Sequence, residues 1–369
     1  PFRPRTISTE PFDRDVMSNQ IFPRFSLSLL LSLLLSLCLS SSPAPRACID
    51  RDTSGCELND EVVLLQSHVK VSSQRSPSVE LAGSWQRGTI TPTSSGLQAT
   101  RLQTAKPIWW LHVPKCGSSF VNALTHLPGM CPFMPPGFVI EDAPSLSVTE
   151  VEESTDQWCP GSFSLEGRSS IMSHAPLGGV YNKAVEGHGV VMLRQPEQRI
   201  ISGYYNQLHD WPYWYYGRRA ADLFEYAQVI SGCAVRMFTR VGDDGNGGVT
   251  ACGGPEPANA AEIALAKQRL RGGFAFVGIT DEWDLSICLL HAVFGGDCLS
   301  SDFLNVREGW NSSDAGYDTS ELMGYTDVVD GALFEEASAV FSEQLHHYGL
   351  SYESCQLCFQ QAQQGSTER

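Results

Sequence analysis

A lysine that follows a strand-like segment is the first residue of this chain whose position suggests chemistry. The run Ile108–Val113 is continuously apolar, as a buried parallel strand requires, and Pro114 ends it before the turn Lys115–Gly117. Helical spacing of apolar residues then predicts a helix over Ser118–Leu127, with Ser118 as its N-cap. A lysine charge, a glycine that permits close approach and the backbone N–H groups of a helix start together predict an anion-binding loop.

A second strand-to-helix junction carries an arginine and a serine. Val190–Leu193 is another apolar strand pattern, and Arg194 follows at its carboxyl end. Pro196 suits the first turn of a helix, and that helix carries Ser202. A planar cationic fork together with a hydroxyl group suits a phosphate monoester, and an arginine salt-bridged at a strand end is the alternative.

The two junctions together resemble those of a known enzyme family. His112–Ser119 is similar to the HxPKTGGTS-like 5′-phosphosulfate loop of Golgi carbohydrate sulfotransferases, with Cys116 and Ser118 in place of the commoner threonine and glycine. Gly189–Asn206 resembles the LRxPxxRxxSxYY element, which binds the 3′-phosphate in the same family. The nucleotide loop G-x-x-x-x-G-K-[ST] is absent, because Lys115 precedes Gly117, the only glycine of this loop. This absence disfavours an ordinary ATPase or GTPase.

The resemblance implies a P-loop-like sulfotransferase fold that uses 3′-phosphoadenosine 5′-phosphosulfate as sulfuryl donor and no metal. Lys115 would then be catalytic as well as cofactor-binding, because sulfuryl transfer needs a cation at the bridging oxygen as the leaving phosphate gains charge. The residues expected to bind the cofactor are Lys115, Cys116, Gly117, Ser118, Ser119, Phe120, Arg194 and Ser202.

Sulfuryl transfer also needs a base for the acceptor hydroxyl, and His174 is the predicted base. It ends the strand-like run Ser169–Ser173 between the two cofactor motifs, and an imidazole titrates near neutrality. The resemblance agrees, since several carbohydrate sulfotransferases place a catalytic histidine at the end of this strand; Ser173 here replaces the usual glycine. The alternatives are a purely structural His174, or Glu186 or Glu141 as the base.

Strand-like and helix-like patterns alternate after residue 107, which predicts an α/β fold with a central parallel sheet flanked by helices. Phe274–Phe294 and Asp330–Leu345 resemble further segments of the same family, so the resemblance spans residues 108–350. We expect residues 106–352 to form the catalytic domain and 353–369 a tail. The predicted strands are Ile108–Val113, Ser169–Ser173, Val190–Leu193 and Phe274–Gly278. The predicted helices are Ser118–Leu127, Pro196–Leu208, Ala220–Ser231, Ala258–Leu270 and Asp284–Phe294.

A secretory address is predicted near the amino terminus. Phe25–Leu39 is an apolar segment with an arginine before it and small residues after it, and Met17 is a candidate start. We expect residues 1–47 to be a tail with a signal peptide or signal anchor, and residues 48–105 to be a flexible lumenal stem. An uncleaved segment gives a single-pass type II membrane protein of the Golgi lumen, whereas cleavage gives a secreted protein; both remain open.

Twelve cysteines fit an oxidising lumen, where disulfides form. Cys116 is expected to stay reduced because it lies in the proposed cofactor loop. A zinc site at Cys355 and Cys358 is the weaker rival to disulfides there, since a single CxxC has no second ligand pair. Asn311–Ser313 is the only glycosylation sequon, consistent with a lumenal glycoprotein. The candidate local disulfides are Cys48–Cys56, Cys233–Cys252 and Cys288–Cys298.

The net charge of −16 argues against nucleic acid as a partner, and mildly against a polyanionic polymer as acceptor. The aromatic segment Trp211–Tyr216 predicts either a platform on which sugar rings stack or a loop packed against the domain. A local basic groove would override the global charge. The candidates for such a groove are Arg218, Arg219, Arg236, Arg240, Lys267, Arg269 and Arg271. The alternative is that these are solvated residues on helix surfaces.

The function that these patterns favour is transfer of a sulfuryl group from 3′-phosphoadenosine 5′-phosphosulfate to a hydroxyl of a glycan. Sulfation of protein tyrosine or of a secreted small molecule is the alternative within the same chemistry. A nucleotide-dependent kinase is an alternative from another class, but this sequence has no evident magnesium-site motif beside the Lys115 loop. A non-catalytic secreted binding module is a further alternative, but it gives Lys115, Arg194 and His174 no common function.

Overall fold

The computed structural model of the chain describes residues 95–135, 137–140, 155, 157–168, 170–242, 252–254, 256–306 and 316–365. All of them belong to one compact unit, Leu81–Arg369. None of the helices in these residues combines the length and the apolar composition that a membrane crossing requires. Four expectations lie outside the described residues and stay predictions: the apolar segment Phe25–Leu39, the Cys48–Cys56 pair, Glu141 as a base and the sequon at Asn311.

Three parallel strands form a small sheet in the order β1-β2-β3. β1 is Trp109–Leu111, β2 is Gly189–Leu193 and β3 is Phe274–Ile279. Almost all of their residues are buried, as in parallel strands covered on both faces, which explains the continuous apolar runs in the sequence. Leu111 pairs with Val191, and Leu193 pairs with Ile279. The predicted α/β fold with a parallel sheet is therefore confirmed, and the carboxyl ends of its strands meet at one edge.

Helices pack around this sheet, and several begin with side-chain caps that the sequence encodes. Asn259 and Glu262 form a reciprocal capping box, while Asp222 and Asp327 each accept a backbone N–H in the first turn of their helices. Short 3₁₀ turns cover Thr280–Glu282, Ser300–Phe303 and Thr319–Leu322, and one π-turn covers Tyr181–Val185. The described α-helices are α1 Ser95–Ala105, α2 Phe120–His126, α3 Pro196–Tyr205, α4 Tyr213–Tyr216, α5 Leu223–Ile230, α6 Cys233–Thr239, α7 Ala260–Gly273, α8 Trp283–Phe294, α9 Val328–Tyr348 and α10 Gln356–Gly365.

The strand expected over Ser169–Ser173 is wrong. Ser170–Ser173 form a turn in which the Ser173 N–H donates to the Ser170 carbonyl at 3.2 Å. The Ser170 hydroxyl oxygen also accepts the Met172 N–H at 3.1 Å, so the serines satisfy the backbone locally. The segment that pairs with the β1 side of the sheet comes earlier, because Ile108 forms a parallel bridge with Phe163.

The segments expected to be a stem and a tail contain ordered helices. α1 lies within the predicted stem, yet Leu102 and Ala105 are buried, and the Gln98 amide donates to the carbonyls of His291 and Ala292 in α8. α10 lies within the predicted carboxyl-terminal tail, and disulfides hold it. Weak periodicity in a Ser-, Thr- and Gln-rich sequence concealed α1, whose stability comes from packing on α8.

Four disulfides cross-link the described residues, in keeping with a protein of an oxidising compartment. Cys233–Cys252 is confirmed, whereas the predicted Cys288–Cys298 bridge is wrong, because each of those cysteines pairs with one near α10. Cys355 and Cys358 are thereby used in disulfides, which excludes the zinc alternative. Cys116 is a free, buried cysteine. The four bridges are Cys131–Cys159, Cys233–Cys252, Cys288–Cys355 and Cys298–Cys358.

A buried ion cluster ties α3, α6 and α9 together behind the sheet edge. The Arg199 guanidinium lies 3.1 Å from Asp330 and 3.8 Å from Asp327. Asp330 also accepts the backbone N–H groups of Ala234 and Val235, both at 3.0 Å. Burial, followed by the charge of Asp327, raises the pKa of Asp330 to about 6, in spite of the lowering effect of Arg199 and these N–H groups. Arg199, part of the second motif, therefore has a structural role.

Candidate functional site

A cavity of about 340 Å³ lies at the carboxyl edge of the sheet. At least one residue after each strand lines the cavity: Lys115 comes after β1, Arg194 directly follows β2, and Thr280 directly follows β3. This is the edge at which parallel α/β sheets bind ligands. The full lining is Lys115, Gly117, Ser118, Ser119, Arg194, Ser202, Thr280, Trp283, Phe303, Leu304, Asn305 and Tyr317.

The loop after β1 has an unusual backbone conformation. Lys115 adopts the left-handed region with a φ of 63°, which is uncommon for a lysine and is found mostly where the surrounding structure enforces it. Gly117 has a φ of 81°, and a Cβ atom there would lie 2.7 Å from the Trp283 ring. The loop is therefore fixed in a tight turn, with the indole of Trp283 packed against its glycine.

Ser118 is oriented by a histidine of the same motif and does not cap α2. The Nδ1 of His112 lies 2.8 Å from the Met172 carbonyl, so Nδ1 carries the proton. Its Nε2 then accepts the Ser118 hydroxyl proton at 3.1 Å in the neutral ring. The N-cap position belongs instead to Ser119, which makes no side-chain cap and whose Oγ accepts the Val306 N–H at 3.1 Å. The predicted Ser118 cap is thus wrong because the buried imidazole binds its hydroxyl.

The second motif faces the same cavity from β2 and α3. An Nη1–H of Arg194 approaches the Lys115 carbonyl at 3.5 Å, which links the two motifs directly. The Arg194 guanidinium lies 5.5 Å from the centre of the Tyr317 ring, a cation–π contact that supports it from one side. Ser202, one helical turn and a half along α3, is buried and lines the cavity wall. The predicted pair of arginine and serine is therefore assembled on one surface.

The lining of this cavity is positive in a strongly negative chain. Lys115 and Arg194 are its two charged members among the described residues, and no carboxylate is part of that lining. The overall charge is −16, so the local sign opposes the global one. Hydroxyl groups of Ser118 and Ser202 add neutral donors. This combination suits an anionic ligand.

Two of the predicted cofactor residues lie beneath the loop. Cys116 and Phe120 are buried and are not part of the described cavity lining. Burial raises the pKa of the Cys116 thiol to about 12, against the lowering effect of Arg199 and Arg194. The Phe120 ring stacks on Phe276 of β3, with centroids 5.6 Å apart. Both side chains therefore support the loop from the core.

Sequence reasoning missed the opposite wall of the cavity. Thr280 lines it and donates its hydroxyl proton to the Leu193 carbonyl at 3.1 Å. Trp283 donates its indole N–H to the Asp302 carbonyl at 3.0 Å, which connects α8 to the segment 303–305. The position of Thr280 directly after a strand was a usable signal, whereas segment 303–305 and Tyr317 have no recognisable motif.

His174 lies beside His112, the residue that follows β1, and is partly exposed and outside the described cavity lining. Its Nδ1 is 2.8 Å from the carbonyl of His112, and the two imidazole centroids are 4.3 Å apart. Because a carbonyl accepts only, Nδ1 donates, and the neutral ring carries its lone pair on Nε2. The tautomer is thereby set for accepting a proton at Nε2, as a general base requires.

The alternative base Glu186 lies at the wrong edge of the sheet. It is exposed and precedes Gly189, the first residue of β2, whereas the cavity lies beyond the last residue, Leu193. The adjoining Gly187 N–H donates to the carbonyl of Gly273, which immediately precedes β3. Glu186 therefore belongs to the amino edge, a strand length away from the cavity, so Glu186 as the base is wrong.

The aromatic segment Trp211–Tyr216 divides between packing and exposure. Trp211 is buried and stacks on Tyr216, with ring centroids 4.8 Å apart. Tyr213, Trp214 and Tyr215 are instead 43%, 62% and 55% exposed. The segment thus supplies a loop anchor at its ends and an exposed aromatic surface at its centre.

The basic residues considered for an acceptor groove are mostly engaged elsewhere. Arg236 is buried and donates to the Val229 carbonyl at 3.2 Å, and Arg269 donates to the Phe238 carbonyl at 2.6 Å. Four others of this set pair with carboxylates on neighbouring helices, which favours the helix-surface interpretation. These ion pairs are Arg218–Glu225, Arg240–Glu262, Lys267–Glu336, Arg271–Glu336 and Arg271–Glu343.

The chain matches no protein-family model, no curated protein and no solved structure. Within the described residues, no group of three or more His, Cys, Asp or Glu side chains is arranged to hold a metal ion.

Proposed function

We propose that this protein is a sulfotransferase that transfers a sulfuryl group from 3′-phosphoadenosine 5′-phosphosulfate to a hydroxyl of a glycan. One observation carries the proposal. The Lys115 loop and the Arg194–Ser202 element, which resemble the two phosphate-binding elements of carbohydrate sulfotransferases, line a single cavity of about 340 Å³. A volume of this size is within the range of small-molecule sites. The P-loop-like sulfotransferase fold is part of the same proposal.

The donor has two anionic ends, and the cavity offers a cationic group for each. The loop Lys115–Ser119 would hold the 5′-phosphosulfate, and Arg194 with Ser202 would hold the 3′-phosphate. Trp283 and Phe303 offer aromatic faces against which an adenine ring can stack. The positive lining in a negative chain favours a nucleotide with two anionic ends over a neutral ligand.

The proposed reaction forms a bond between the acceptor oxygen and sulfur and breaks the bond between sulfur and the bridging phosphate oxygen. Adenosine 3′,5′-bisphosphate leaves with the electron pair of that bond. Lys115 stabilises the charge that develops on the bridging oxygen. His174, through Nε2, takes the proton of the acceptor hydroxyl as the new bond forms.

The exposed rings of Tyr213, Trp214 and Tyr215 support a sugar as acceptor, because pyranose faces stack on exposed aromatic rings. The ion-paired state of the candidate basic residues supports a neutral or weakly charged glycan over a polyanion. A panel of desulfated and neutral oligosaccharides with ³⁵S-labelled donor tests this. Label incorporated only into tyrosine peptides or small phenols would contradict the glycan assignment.

We place the enzyme in the Golgi lumen as a type II membrane protein. Four disulfides among the described residues support an oxidising compartment, and the apolar segment Phe25–Leu39 supplies a signal anchor in this proposal. Fractionation of cells that produce the full chain tests the assignment. Recovery of the protein solely from the medium would indicate a cleaved signal peptide.

Binding of adenosine 3′,5′-bisphosphate, measured by isothermal titration calorimetry without magnesium, tests the proposed function. The wild-type protein should bind it, and Arg194→Ala should weaken binding at least tenfold because a desolvated phosphate loses its guanidinium partner. Lys183→Ala is the matched control, since Lys183 is exposed in the π-turn before the amino end of β2. Preference for ATP with magnesium would indicate a kinase, and binding of neither nucleotide would indicate a non-catalytic module.

A further inference from the structure

A second histidine, paired with a buried carboxylate, lies against the proposed base. The Nδ1 of His209 is 2.7 Å from the Asp210 carboxylate, whose side chain is only 3% exposed. The His209 ring meets the His174 ring edge to face, with centroids 5.3 Å apart. Neither residue was singled out by sequence reasoning, because an isolated His-Asp dipeptide is not a recognisable motif.

The turn that presents this pair is held in a strained conformation. Gln207, Leu208 and Asp210 have φ values of 57°, 60° and 62°, in the left-handed region that non-glycine residues seldom adopt. Such a residue is energetically unfavourable and persists only where the surroundings enforce it. Three strained residues in a stretch of four are the kind of feature that accompanies a functional constraint.

Three contacts enforce the turn. The His209 N–H donates to the Gly203 carbonyl at 2.9 Å, and the buried Tyr226 hydroxyl donates to the His209 carbonyl at 2.6 Å. Gly253 packs so closely that a Cβ atom there would lie 2.0 Å from the Asp210 carbonyl oxygen. The neighbouring Cys252 is bridged to Cys233, which holds Gly253 in place.

The Asp210 carboxylate is charged, although it is buried. Burial alone would raise its pKa, but the charges of His209, His174 and Arg199 and the hydrogen bond from His209 lower the pKa below its usual value. Tyr226 faces the carboxylate from α5, and its own pKa is raised by burial and by Asp210. A fixed negative charge therefore acts on both histidines.

We propose that Asp210 and His209 are positioning residues for His174, forming a carboxylate–histidine–histidine array that stabilises the imidazolium produced when His174 takes the acceptor proton. This inference rests on the proposed function. Asp210 accepts the Nδ1–H of His209, which fixes that ring, and the ring edge in turn restrains His174. The proton stays on His174 Nε2 until solvent removes it, and Asp210 supplies the compensating charge.

The decisive variant is Asp210→Asn, which keeps the volume and an oxygen that can accept the His209 Nδ1–H but removes the charge. We expect kcat to fall roughly tenfold or more while the affinity for adenosine 3′,5′-bisphosphate stays unchanged. The acid limb of the kcat–pH profile should move to lower pH, because His174 loses the charge that favours its protonated form. His346→Ala, an exposed histidine near the carboxyl end of α9, is the control.

A second readout does not depend on turnover. In protein labelled with ¹³C-histidine, the titration midpoint of His174 followed by NMR should be lower in Asp210→Asn than in the wild type. An unchanged midpoint together with wild-type kcat would overturn the proposal. If Asp210→Asn does not fold, His209→Gln is the second variant, because its amide can still donate a hydrogen bond to Asp210. It should lower kcat without changing the affinity for adenosine 3′,5′-bisphosphate. Wild-type kcat in His209→Gln would equally overturn the proposal. Failure of the wild type to bind adenosine 3′,5′-bisphosphate would refute the proposed function, while the NMR titration still decides the coupling of Asp210 to His174.

Discussion

Lys115 and Arg194 bring the same charge into one cavity, yet they should act at different stages of the reaction. Lys115 belongs to the left-handed turn of the loop, where its charge faces the sulfuryl group in our proposal. Arg194 rests against Tyr317, and in the same proposal it faces the phosphate that does not react. We expect Lys115→Ala to lower kcat by about a hundredfold or more, since it removes a cation from a developing charge. Arg194→Ala should mainly raise the donor KM. Wild-type kcat in a folded Lys115→Ala variant would contradict this role.

Cys116 lies under the same loop, and its thiol should be unreactive toward alkylating reagents in the native protein. The thiolate is the reactive form of cysteine, and burial raises the pKa of this thiol to about 12. We therefore expect that iodoacetamide does not modify Cys116 in the native protein between pH 7 and pH 9, and modifies it readily after unfolding in guanidinium chloride. Mass spectrometry of tryptic peptides measures both. Rapid modification of the native protein would show that the loop opens in solution.

At the scale of elements, the contact between the loop and α8 determines the shape of the cavity. Gly117→Ala places a Cβ atom 2.7 Å from the Trp283 ring at a φ of 81°, so the loop or the indole must move. We expect a loss of about 1–3 kcal/mol in the free energy of unfolding and a clear fall in donor affinity. Gly129→Ala is the matched control, because Gly129 also has a positive φ of 66° but has no atom within 4 Å of the added Cβ. Equal effects of the two variants on donor affinity would contradict the proposed contact.

The strand-to-helix junctions were predictable because their signals are local. β1 and β2 are fully buried apolar runs, and each is followed by a cation, so pattern and position agree. Ile171 and Met172 gave a false strand signal, since two apolar residues among serines pack against the core from a turn. His209 and Asp210 were not predictable, because the role proposed for them depends on a strained turn and on the proximity of His174.

At the scale of the whole molecule, one wall of the cavity is formed by residues from the carboxyl-terminal part of the sequence. Phe303 and Tyr317 lie far in sequence from Lys115, and no local pattern announces that they will meet it. The same holds for the disulfides: Cys298 pairs with Cys358 across 60 residues, whereas proximity in sequence favoured Cys288. Sequence patterns thus predicted the cationic half of the cavity, while its aromatic half depends on tertiary packing.

The long-range disulfide Cys298–Cys358 should therefore affect the site as well as stability. Cys298–Cys358 joins α10 to the segment that begins with the 3₁₀ turn Ser300–Phe303, and Phe303 lines the cavity. Replacing both cysteines by serine should cost up to about 4 kcal/mol in the free energy of unfolding, because the bridge closes a loop of 60 residues.

Donor affinity should fall in the Cys298→Ser/Cys358→Ser variant, since the aromatic wall loses its tether to α10. The Cys131→Ser/Cys159→Ser variant is the control: its bridge closes a loop of 28 residues, and neither cysteine lines the cavity, so stability should fall while the affinity for adenosine 3′,5′-bisphosphate stays unchanged. Denaturant unfolding and calorimetry at a temperature where both variants are folded measure the two quantities. Equal loss of affinity in both variants would mean that global stability, and not the tether of Phe303, controls donor binding.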